Sequence, residues 1–72
     1  MMFNEQLKKC RKNNNKTQKE IAEYLGIAER AYQNYEYGNR EPDIEKIKML
    51  CQFFDVSADY LLGLSDNPQI NK

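Results

Sequence analysis

Residues 17–26 leave the chain little freedom, because both ends of the stretch are specified. In Thr17-Gln18-Lys19-Glu20 a hydroxyl and a carboxylate stand three residues apart. The Thr17 hydroxyl can accept from the N–H of Glu20 while the Glu20 carboxylate reaches back to Thr17, the two halves of a capping box that opens a helix. Ile21, Ala22 and Leu25 then recur at i, i+1 and i+4, laying down one apolar face with Lys19, Glu20 and Glu23 off it. Gly26 follows where a helix commonly ends in left-handed backbone, which only glycine adopts cheaply. Ile27 offers a buried anchor. A second periodic run, Ala31, Tyr32 and Tyr35, begins at once and stops at Gly38.

Between these two helices only Gly26-Ile27-Ala28 is left as a link, so they must cross steeply. Ala22 is small enough to let the second approach the first. That is the geometry of a helix-turn-helix, in which one helix braces on a DNA backbone and the other lies in the major groove. An αα-hairpin without a ligand is the alternative that these residues alone leave open.

Seventy-two residues make one small domain, able to bury about 60% of its unfolded surface. An apolar share of 40% and a charged share of 31% describe an ordinary folded chain. No apolar run approaches the roughly 18 residues of a membrane span. The opening Met1-Met2-Phe3-Asn4-Glu5 lacks the basic and apolar regions of a signal peptide. A cytoplasmic protein with no membrane partner is expected. Cys10 and Cys51 sit inside apolar helical patterns, as small hydrophobes do. With no His and no C-x-x-C, neither a metal nor any other cofactor is expected.

Net charge is zero, yet it is unevenly spread. Residues 1–40 carry eight Lys/Arg against five Glu, a net of +3, whereas residues 41–72 carry three Lys against six acids, a net of −3. The helix-turn-helix lies in the basic half, and a DNA-facing side needs local positive charge rather than a basic total.

Elsewhere the chain reads as support. A first helix over about residues 4–13 places Phe3, Leu7 and Cys10 on one face, with Lys8, Lys9 and Lys12 outward. Asn13-Asn14-Asn15 makes a turn, since Asn tolerates left-handed backbone and competes for backbone hydrogen bonds. Pro42 ends the loop 38–42, and Asp43 can cap a fourth helix with a buried stripe of Ile44, Ile47, Leu50, Cys51 and Phe54. Met49 and Phe53 fall off that stripe, either widening the core or forming an exposed patch. Asp55 stands at the helix end and Val56 anchors the next turn. Ser57 can cap a short fifth helix carrying Tyr60, Leu61 and Leu62, closed by Gly63. The expected architecture is all-α, a compact five-helix bundle over residues 1–63 with the helix-turn-helix at helices 2 and 3. Residues 64–72 form a short flexible tail.

With these residues in place, the chain closely resembles the Cro/C1-type (XRE) helix-turn-helix family of phage and bacterial repressors, the lambda-repressor-like fold. The likeness rests on T-Q-K-E-I-A-E-Y-L-G-I at 17–27, Y-E-Y-G-N-R-E-P at 35–42 and D-V-S-A-D-Y-L-L-G at 55–63. It implies a sequence-specific double-stranded DNA-binding repressor, a homodimer on a palindromic operator, with residues 28–36 as the recognition helix. By the same resemblance Gln18, Asn39, Arg40 and Lys46 contact phosphates, the 38–40 loop adding its backbone N–H groups. Glu29, Arg30, Gln33 and Asn34 face the bases. Arg30 suits guanine O6 and N7, Gln33 or Asn34 suits adenine N6 and N7, and Glu29 could accept from a cytosine N4 or serve only the helix dipole. Arg11 and Glu36 match a buried ion pair tying the first helix to the recognition helix.

The chain departs from the family pattern at Tyr32, whose hydroxyl needs an outlet, at Ala28, which lacks a capping hydroxyl, and at Asp55 in place of Gly. A protein-binding regulatory module, such as an antitoxin component, is the rival function. An enzyme is not expected, because no base stands beside either cysteine and no phosphate loop is present.

Overall fold

The computed structural model describes residues 2–69 and contains α1 (Phe3–Asn13), α2 (Gln18–Leu25), α3 (Glu29–Tyr37), α4 (Ile44–Phe54) and α5 (Ala58–Leu61). Both halves of the capping box at α2 are made, Glu20 N–H donating to Thr17 Oγ1 at 3.1 Å and Thr17 N–H to Glu20 Oε1 at 2.9 Å. Asp43 and Ser57 cap α4 and α5, accepting from Lys46 N–H at 2.9 Å and Tyr60 N–H at 3.1 Å. The helices stop in left-handed backbone where expected: Gly26 has φ 73°, Gly38 φ 81° and Asp55 φ 56°. Asn15, at φ 56°, makes the same turn after α1, while the Asn14 side chain donates to the Cys10 carbonyl at 2.7 Å.

Every helix supplies one fully buried side chain to a single core: Leu7, Ile21, Tyr32, Leu50 and Leu61. Burying an aliphatic or aromatic side chain of this size contributes about 1.5–3 kcal/mol, so these five positions anchor the bundle. Around them pack α3 on α1 and α2, α5 on α1 and α4, and α4 on α2. Cys10 is buried and Cys51 half-buried, both as free thiols whose pKa burial raises.

In α4 one expectation needs revising and one open alternative is decided. Ile44, placed on the buried stripe by periodicity, is 74% exposed. It occupies the first turn, before the helix has met its neighbours. Met49 and Phe53, off the stripe, are half-buried and pack against the core, so they widen it. Phe53 is covered by Tyr24 at 4.8 Å between ring centroids, and Lys16 Nζ lies 5.9 Å from its ring. Gln6 is also buried beside Leu7, which no apolar pattern announces.

The segment after α5 turns back, with Ser57 N–H donating to the Pro68 carbonyl at 2.9 Å. Residues 70–72 of the expected tail, like Met1, lie outside the described residues.

Helix α3, like α1, starts with no side-chain cap, Ala28 having no hydroxyl to offer. Ala28→Ser is therefore expected to stabilise the fold by about 1 kcal/mol. The gain would appear as a higher urea midpoint at unchanged slope. An unmoved midpoint would show that a hydroxyl adds nothing there.

Candidate nucleic-acid interface

Glu36, near the end of α3, is 5% exposed, and its carboxylate stands where α1, α2 and α3 meet. Arg11 from α1 grips it with both arms of its fork, Nε to Oε2 at 2.6 Å and Nη2 to Oε1 at 3.1 Å. Tyr32, one turn earlier on α3, donates its hydroxyl to Oε2 at 2.6 Å, and Gln18 at the start of α2 donates Nε2 to Oε1 at 3.2 Å. Burial opposes the charged form of Glu36, but the hydrogen bonds from Arg11, Tyr32 and Gln18 outweigh it and hold the carboxyl below its ordinary value. The Glu36 hydrogen bond raises Arg11, and burial followed by the Glu36 contact raises Tyr32. The outlet that the Tyr32 hydroxyl required is thus the ion pair itself.

From this junction the network runs outward. Gln33 Nε2 donates to Gln18 Oε1 at 3.2 Å, tying the outer face of α3 to the first turn of α2. Arg11 Nη1 also donates to the Lys16 carbonyl at 3.1 Å, steadying the turn that enters α2. No buried side-chain nitrogen or oxygen among the described residues lacks a partner.

The residues expected to read bases all lie on α3 but are not equally free. Glu29 and Arg30 are exposed, whereas Gln33 and Asn34 are half-buried, Gln33 by its bond to Gln18. Of the expected phosphate contacts, Asn39 and Arg40 have exposed side chains in the loop after α3. The backbone of that loop is not free as expected. The N–H groups of Asn39 and Arg40 both go to the Asn34 carbonyl, at 3.0 and 3.3 Å, and that of Gly38 goes to Tyr35 at 3.4 Å. These groups satisfy the carbonyls at the end of α3, so only the side chains remain to meet an anion. Lys46 is half-buried and its Nζ lies 3.4 Å from Asp43 Oδ2, which offsets its charge. Tyr24 and Tyr37 are exposed, Tyr24 against Phe53.

One element of the surface escaped sequence reasoning. Lys8, Arg11 and Lys12 of α1, Lys16 of the turn and Lys19 of α2 line a cleft of about 510 Å³, with Thr17, Gln18, Glu29, Glu36 and Tyr37 completing it. Arg11 neutralises Glu36 on its wall, which leaves four lysines against Glu29. The signal was the charge asymmetry of residues 1–40. Its convergence on one side needed the packing of α1 across α3. Among the described residues no group of three His, Cys, Asp or Glu could hold a metal ion, and no helix is long and apolar enough to cross a membrane.

Residues 7–61 match the family described as Helix-turn-helix. The chain belongs to that family. Among its relatives is YqaE of Bacillus subtilis (strain 168), named an uncharacterized HTH-type transcriptional regulator, 46% identical over 69 residues that make up 96% of this chain and 60% of YqaE. A transcriptional regulator from Listeria innocua superposes with a TM-score of 0.82 at 35% identity, over 86% of this chain and 58% of that one. The P22 c2 repressor, crystallised with a synthetic operator, superposes at 0.82 and 25% identity, over 90% of this chain and 98% of that one. The chain thus spans about three fifths of the length of YqaE and of the Listeria protein. The helix-turn-helix of this family member is α2 and α3, and Glu36 lies at their junction with α1.

Removing the carboxylate would strand Arg11 and leave the Tyr32 hydroxyl without its acceptor. Glu36→Ala is expected to cost about 3–5 kcal/mol, and the exposed Glu41→Ala within about 0.5 kcal/mol of nothing; equal melting temperatures would contradict this. Since the folded pKa of Glu36 is lowered, its contribution is complete above the ordinary 4.5 and is lost as pH falls through the folded value. The stability gap between wild type and Glu36→Gln should therefore narrow below pH 4.5 in urea titrations.

Proposed function

We propose that this chain is the sequence-specific double-stranded DNA-binding part of a transcriptional repressor, acting in the cytoplasm as a homodimer on a palindromic operator. Residues 1–63 carry this activity, and residues 28–36 enter the major groove. The single observation behind the proposal is an exposed edge of α3, with Arg30 and Glu29 in solvent, standing beside a cleft lined with lysines. A duplex presents such a juxtaposition with base edges in its groove and phosphates along the rim. The P22 c2 repressor, which shares the fold, is itself bound to an operator duplex.

In this arrangement the side chains divide by task. Arg30 donates to guanine O6 and N7, Asn34 and Gln33 address adenine, and Glu29 either accepts from a cytosine N4 or stays clear of the bases. Gln18, Asn39, Arg40 and Lys46 hold phosphates, and the lysines of the cleft extend that contact along α1. Lys46 is the weakest of the set, because Asp43 already shares its charge. A single module covers too few base pairs for genomic specificity, which favours two copies with half-sites about 34 Å apart.

Binding to random duplex DNA is expected to weaken steeply as salt rises, because each neutralised phosphate releases counterions. Affinity that stays flat across salt would exclude this function and favour a protein-binding module instead. On an operator obtained by selection from a random pool, Arg30→Ala should weaken specific binding by about 1–3 kcal/mol and spare nonspecific binding. Gln18→Ala, which removes a phosphate contact, should weaken nonspecific binding as well as specific binding. Unchanged operator preference in Arg30→Ala would mean that α3 lies in the groove differently.

A further inference from the structure

The chain of side chains that begins at Glu36 does more than hold three helices together, because its members differ in what they can donate and accept. An ionised carboxylate only accepts hydrogen bonds, whereas a primary amide has a donor end and an acceptor end. With Oε1 of Glu36 already facing Gln18, the Gln18 amide must turn its NH₂ inward, as it does at 3.2 Å. Its carbonyl oxygen is then left facing Gln33, so Gln33 must in turn offer its own NH₂, as it does at 3.2 Å. Reversing either amide would set a carbonyl oxygen against a carboxylate, or two carbonyl oxygens against each other. The buried charge therefore sets the direction of both amides, across two hydrogen bonds, out to the half-buried Gln33 of α3.

What remains free on Gln33 is its carbonyl oxygen and one N–H. This donor–acceptor pair complements adenine, which shows an N6–H₂ donor beside an N7 acceptor in the major groove. Guanine shows two acceptors there, O6 and N7, and would set O6 against the Gln33 oxygen. We infer that Glu36 is a specificity-determining residue acting at second hand: by orienting Gln18, it orients Gln33 to select adenine over guanine at the base pair Gln33 meets. Glu36 itself touches no base; it is a positioning residue. The role of Tyr32 and Arg11 is to keep the carboxylate charged and still, through bonds of 2.6 Å each to Oε2. Nothing in the periodicity of α3 contains this preference, since a glutamine at a helix surface can present its amide either way round.

This inference rests on the DNA-binding function proposed above, and the experiment separates the two. Purified full chain is taken through selection from a random duplex pool, and Gln33→Ala then identifies the base pair where preference is lost. That pair is expected to prefer adenine over guanine. Gln18→Met breaks the relay and leaves the Arg11–Glu36 pair intact, so it should reduce the adenine-over-guanine ratio at that one pair by about tenfold. Preferences at the Arg30 pair should stay as they are. In the free protein, side-chain amide NMR signals of Gln33 should move in Gln18→Met and again in Glu36→Gln, which follows the orientation without any DNA. If Glu36→Gln fails to fold, Gln18→Met alone decides the matter. A chain that binds no duplex defeats the DNA reading together with this inference. A chain that binds selectively, but with a Gln33 pair that prefers guanine or ignores Gln18→Met, defeats the inference alone.

Discussion

A carboxylate taken out of water must be surrounded by donors or it will not stay charged, and Glu36 meets that requirement with four hydrogen bonds drawn from α1, α2 and α3. Each donor is supplied by a different structural circumstance. Arg11 arrives because α1 packs across α3, Tyr32 because it lies one turn back on the same helix, and Gln18 because the capping box starts α2 at that point. The angle between the two helices of the motif is consequently set by a polar junction as much as by the apolar contact of Ile21, Ala22 and Leu25 with α3. A buried ion pair of this kind is not by itself a source of stability, since desolvating both charges offsets much of their attraction. Its value here is directional. A hydrophobic cluster could hold the helices together at several rotations, whereas a bidentate fork on one carboxylate tolerates few.

The outer surface follows from that rotation. With Glu36 turned inward, Arg30 and Glu29 on the early turns of α3 are exposed, and the lysines of α1, the turn and α2 share one cleft with Glu29. Tyr32 is the clearest instance of a family departure absorbed by the local chemistry. A hydroxyl in a core is normally a liability, costing free energy unless it finds an acceptor. Here the acceptor is the charge that the fold already keeps buried, so the tyrosine fills core volume and adds a donor in one step. The uncapped start of α3 is the complementary case. Ala28 leaves N–H groups at the turn without a side-chain partner, at the end of the helix nearest to the proposed contacts.

Much of this architecture was legible in single residues. Thr17 and Glu20, Gly26, Gly38, Asp43 and Ser57 act through hydrogen bonds and backbone angles within a few residues of themselves, and each stands where its chemistry places it. Periodicity likewise identified Leu7, Ile21, Tyr32, Leu50 and Leu61 as core. It failed at Ile44, because a stripe drawn along a helix says nothing of where the neighbouring helix begins. The family resemblance, for its part, implied free N–H groups in the loop 38–40, and these are taken by the carbonyls of Asn34 and Tyr35 at the end of α3.

The sequence by itself determined the five helices, their ends, the two that form the motif and the uneven charge, since all of these depend on neighbours along the chain. Only the tertiary structure decided that Lys8, Lys12, Lys16 and Lys19 share one cleft, and that Gln18 stands between Glu36 and Gln33. Those relations join residues up to 18 positions apart, through side chains whose amides have no preferred direction of their own. A buried charge supplies that direction, and its burial comes into being only when three helices close around it.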